Sequence, residues 1–136
     1  MNPIVVASLC AAFALSTTAC DRKVEECNAL VKVLNTAQDK LNPAGDDAAA
    51  FEKLAGQIDQ AAVDVGKAVV KLPELQKFRD SYTGLLQDTA KGARDAAEGA
   101  KAADMTKLGA AAKALTEMGT KVSKLTEEIN QFCSAK

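Results

Sequence analysis

Leu108, Leu115, Val122 and Ile129 recur every seven residues, and Ala111, Met118, Leu125 and Phe132 each follow one of them by three. An α-helix gathers that spacing into a single apolar seam, whereas a strand would scatter it over both faces. The pattern predicts a helix over 105–133, with Asp104 as its N-cap, since a short acidic side chain there can accept from the first free amides. Because one face of this helix must be covered, the rest of the chain has to supply partners.

A second seam follows Asn42-Pro43-Ala44-Gly45-Asp46-Asp47, the strongest turn signal in the chain. Phe51, Ile58, Val65 and Leu72 repeat at seven, with Leu54, Ala61 and Ala68 between them, which predicts a helix over 47–71. Pro73 disfavours helical geometry in the residue before it and suits the first turn of a new helix. Leu75, Phe78, Tyr82 and Leu85 then open a third helix, read as 73–101, while Cys27, Leu30, Val31, Leu34 and Leu41 mark a first helix over 22–41. Aromatic residues make up 4% of the chain, and with Trp absent and Ala abundant the composition favours helix over a β-sandwich or barrel.

The fold class is therefore all-α. Short connections between long amphipathic helices favour antiparallel neighbours and predict an up-down-up-down four-helix bundle in one domain. The boundary at 101–104 carries no proline, so a continuous helix from Pro73 to Cys133, about 90 Å long at 1.5 Å per residue, is the competing arrangement.

Several functions are disfavoured by what the chain contains. Seventeen basic against 18 acidic residues leave it without the basic footprint of a nucleic-acid binder. There is no histidine, no Gly-x-Ser-x-Gly and no phosphate-binding glycine loop, so the acid-base constellation of an enzyme is missing. No metal site and no cofactor are expected: the Glu-x-x-His pairs of a di-metal bundle are absent, and Met105 and Met118 read as core fillers. Tyr82 reads as a core residue with its hydroxyl at the rim. Glu117 with Lys121, and Arg94 with Glu98, stand four apart and are expected to pair along their own helices.

The glycines and alanines of 89–103 are the one feature suggesting a groove. Gly92, Ala93, Ala96, Gly99 and Ala100 make a small-residue face that serves either for close helix approach or for a lipid, peptide or partner helix.

The N-terminus has a different character. Ile4 to Leu15 is an uncharged apolar run too short to span a bilayer, and it leads into Thr17-Thr18-Ala19-Cys20. These residues resemble the signal peptide and lipobox of a bacterial lipoprotein. The resemblance implies removal of residues 1–19, acylation of Cys20 and a mature domain over 20–136 held on a membrane of the cell envelope. It covers only the start of the chain; no family is recognised for the domain itself. If Cys10 leaves with the leader and Cys20 takes the lipid, Cys27 and Cys133 remain as a pair suited to an oxidising compartment. An even number of antiparallel helices brings those two to the same end, where one disulfide can close the bundle; the alternative is two buried free thiols in a protein that is never exported.

Few residues separate Cys20 from the first helix, so the domain is expected to stand close to the bilayer with its disulfide end down. Charges of both signs at that end cancel and argue against a polybasic second anchor. The functional expectation is a non-enzymatic, lipid-anchored envelope protein that serves as a scaffold or interaction module, with the membrane and a protein as partners. A carrier of an apolar ligand between the helices and a self-assembling structural protein are the alternatives; the sequence leaves the oligomeric state open.

Overall fold

In a computed structural model that describes residues 17–42 and 45–135, with side chains from Arg22 onward, the chain is all-helical. The apolar run Ile4 to Leu15 lies outside the described residues. Four helices follow in order: α1 Thr17–Asp39, α2 Ala48–Gly66, α3 Pro73–Lys101 and α4 Met105–Ser134. They form a helical bundle, and Cys27 of α1 is disulfide-bonded to Cys133 of α4 with their Cα atoms 5.8 Å apart.

The sequence marks three of the helix boundaries for physical reasons visible in the structure. Asp47 caps α2 by accepting from the Ala50 amide at 2.7 Å. Pro73 occupies the first turn of α3, where its missing N–H costs nothing. The disputed 101–104 boundary is a real break. Ala103 takes a left-handed φ of 51°, and Asp104 accepts from the amides of Thr106 and Lys107, each at 3.0 Å, to start α4 afresh.

The other boundaries move. Helix α1 begins five residues ahead of Arg22, at Thr17, and ends at Asp39 in place of Leu41. Helix α2 stops at Gly66 rather than running to 71. Gly66 and the β-branched Val69 and Val70 are weak helix formers, and Pro73 holds Leu72 extended at ψ 127°. Over 68–70 the chain alternates as a strand does: Ala68 and Val70 turn into the core while Val69 is 81% exposed.

Facing residues pair in opposite order along adjacent helices. Asp59 and Glu52 of α2 form ion pairs with Arg94 and Lys101 of α3, and Gly92 and Gly99 of α3 lie against Leu115 and Leu108 of α4. Helix α3 is thus central, with α2 on one side and α4 on the other; no Cα of α2 comes within 8 Å of one in α4. Helix α1 closes only part of this assembly. The chain leaving it runs beside the second half of α2, where Lys40 pairs with Asp64 at 2.8 Å and the Asn42 amide donates to Gln57 at 3.2 Å. The main apolar core follows that coverage. It gathers Leu30, Leu34, Ile58, Val65, Leu75, Tyr82, Leu125 and Ile129, and takes nothing from α4 ahead of Val122.

Tyr82 is buried in this core, and its hydroxyl accepts from the Gln38 side chain at 2.8 Å at the rim. Burial pushes the tyrosine's pKa up, and the Gln38 bond partly offsets it. The expected intrahelical pair Arg94 with Glu98 is replaced by pairs between helices: Arg94 reaches Asp59 of α2, and Glu98 takes Lys107 of α4. Neighbouring helices offer both side chains a closer partner than their own helix does.

Candidate functional site

The residues with the most specific chemistry meet at one end of the bundle, where α1 enters, α4 leaves and the 67–72 segment crosses between α2 and α3. Cys27 is buried on the apolar face of α1 and holds α4 through Cys133. Next to that bond, Lys23 lies over the Phe132 ring at 4.4 Å and donates to the carbonyl of Ala135 at 2.7 Å. A cation at these last carbonyls complements the negative end of the α4 dipole. Phe132 packs edge-on against Phe78 of α3, with centroids 5.8 Å apart, so α1, α3 and α4 are joined around one aromatic pair.

Glu26 is the one buried charged side chain among the described residues. One carboxylate oxygen accepts from Arg22 Nε at 2.8 Å; the other accepts from the backbone amides of Lys71 at 2.6 Å and Leu72 at 2.8 Å. Leu72 is the N-cap residue of α3, and its own side chain makes no cap bond. Glu26 therefore supplies from α1 the negative oxygen that the start of α3 lacks. The Arg22 guanidinium, followed by the amides of Leu72 and Lys71, holds its pKa down at about 2, against the opposing effect of burial.

These bonds fix the 67–72 segment. The Ala68 amide donates to Val65, Arg79 donates to the Ala68 carbonyl at 3.2 Å, and Gln76 donates to the Val70 carbonyl at 3.1 Å. Between the segment and the first turns of α1 lies a hollow of about 330 Å³, bounded by Arg22, Glu25, Glu26, Ala29, Val69 and Lys71.

Cys20 falls within α1, seven residues and so about 10 Å along the helix ahead of Cys27. Its backbone is helical; its side chain lies outside the described residues. Of the candidate groove, Gly92, Ala93, Ala96 and Gly99 are buried and Ala100 is half-buried. Leu115 and Leu108 of α4 stand over the two glycines: a Cβ on Gly92 would meet Leu115 at 3.2 Å, and one on Gly99 would meet the Leu108 backbone nitrogen at 3.1 Å. The small residues here admit the neighbouring helix, and its leucines cover them.

The capping by Glu26 and the exposure of Val69 are the two features here that the sequence concealed. Glu26 sits beside Cys27 on the apolar face of α1, which signals a buried acid, but its backbone partners are 45 and 46 residues away. Val69 is hidden inside a seam that continues by spacing to Leu72.

No family model, curated protein or solved structure matches this chain. Among the described residues, no helix is long and apolar enough to cross a membrane.

Proposed function

We propose that this chain is a non-enzymatic lipoprotein of the bacterial cell envelope, acylated at Cys20, whose domain is an up-down-up-down bundle serving as a scaffold or interaction module. The observation that carries the reading is the pairing of Cys27 with Cys133. A structural disulfide belongs to an exported protein, and once these two are paired and Cys10 is removed with the leader, Cys20 is left as the acylation site. Cys20 also lies in the same helix as the clasp and only two turns ahead of it, so the lipid would hold the clasped end at the bilayer and direct the sides and far end towards partners. The opposite order of the facing residues in α2, α3 and α4 supports the up-down-up-down arrangement.

The test is the intact mass of the protein extracted from membranes of its host and alkylated without prior reduction. The expected species begins at Cys20, carries added acyl mass and takes up no alkyl group. An unacylated chain, or one with alkylated thiols at Cys27 and Cys133, would contradict the reading.

A further inference from the structure

The end that carries Cys20 also presents an apolar contact of its own. Val69 is 81% exposed, the most exposed large apolar residue among those described, although its neighbours Ala68 and Val70 are buried. Looseness does not explain that exposure, because hydrogen bonds fix the backbone at Ala68, Val70, Lys71 and Leu72. The segment is thus a rigid support that holds one aliphatic side chain out, between the exposed Lys67 and Lys71.

The surroundings indicate what it touches. Val69 and Arg22 border the same hollow, and Arg22 is two residues after Cys20. Glu26, which binds the segment, is six residues beyond Cys20, or about 9 Å of helix. The headgroup layer of a bilayer is roughly 5 to 8 Å deep on each side. With Cys20 at the lipid boundary, an upright α1 would put the segment at the outer edge of that layer, and a tilt towards the hollow would bring Val69 into it. Lysines on either side of an apolar tip suit that position, since their stems lie along apolar surface while their ammonium groups reach phosphates.

We propose that the 67–72 segment is a second, apolar contact with the phospholipid surface, with Val69 entering the headgroup layer and fixing the tilt of the acylated domain. The charges lining the hollow itself cancel, as Glu25 and Glu26 balance Arg22 and Lys71, so the apolar tip and not a basic patch carries the contact. The inference rests on acylation at Cys20.

The test places an environment-sensitive fluorophore on Val69→Cys or, at the far end of α4, on Met105→Cys, a residue 77% exposed. The acylated, disulfide-bonded protein is reconstituted on vesicles of phosphatidylethanolamine and phosphatidylglycerol, some of the lipid carrying a spin label in its headgroup. A blue shift and strong quenching at 69, with an aqueous spectrum and no quenching at 105, is the expected result. Vesicle-bound protein whose probe at 69 is as aqueous as that at 105 would overturn the inference and leave the anchor intact, and quenching at both positions would overturn it in favour of a domain lying flat. A chain that never binds the vesicles would remove the acylation reading, and this inference with it.

Discussion

At the end where α1 begins, Cys27 is bonded to Cys133, Glu26 caps α3 from a different helix, and Lys23 ties the last turn of α4 to the first turns of α1. At the other end α1 is absent, α2 and α4 flank α3 with no Cα of one within 8 Å of the other, and the contacts across the helices are small residues under Leu108 and Leu115 and exposed ion pairs such as Lys101 with Glu52. Exposed pairs of that kind contribute roughly 0 to 1 kcal/mol each. Stability is therefore concentrated where the chain would be anchored, and the far end is the freer one. Under the anchoring at Cys20 proposed above, the rigid end would bear the anchor, and the part reaching outward could adjust to what it meets.

The disulfide offers the strongest way to break the contrast. Reduction, or Cys133→Ser, opens a loop of 106 residues in sequence separation and should cost about 4 to 5 kcal/mol in the chain-entropy account, a large share of a domain's usual stability. Denaturant unfolding of oxidised and reduced protein measures it; equal midpoints would mean the clasp contributes little.

Glu26 comes next. Its pKa is lowered to about 2 in the fold from an ordinary 4.5, so the stability it adds is complete above pH 4.5 and is lost as pH falls towards 2. Glu26→Gln should flatten that part of the stability curve and lower the plateau above it. Thermal melts between pH 2 and pH 6, compared with the parent protein, would show the change; an unaltered acid limb would assign the acid sensitivity elsewhere.

Two glycine substitutions sharpen the account of the far end. Gly99→Ala should destabilise, because its Cβ meets the Leu108 backbone, and overpacking of about 1 to 3 kcal/mol outweighs a helix-propensity gain of about 0.8 to 1 kcal/mol. Gly109→Ala meets nothing within 4 Å and should stabilise by about 0.8 to 1 kcal/mol. Unfolding midpoints that move in the same direction for both would refute close packing at Gly99.

Much of this was legible in the sequence, since local chemistry set it. Pro73, Asp47 and Asp104 start their helices where their side chains dictate, and Cys27 and Cys133 pair as the cysteine count led one to expect. The end of α2 was not legible, because Leu72 keeps the seven-residue spacing while the backbone beneath it is already extended. Spacing records which side chains face the core; it does not record whether a helix or a strand-like turn puts them there. Glu26 was hidden for a related reason, as its partners are main-chain amides, which every sequence supplies at every position. The small-residue face was legible as a place of close approach, but Leu108 and Leu115 as its occupants depend on the register of α4 against α3.

Residue-resolved hydrogen exchange of the oxidised protein tests the division between the two ends most directly, because amide protection reports local opening along each helix. The account predicts the slowest amides in α1 after Glu26, in the first half of α3 and in α4 beyond Val122, with the first turns of α4 from Met105 exchanging well ahead of them. Protection of Met105–Met118 equal to that of the clasped end would contradict it.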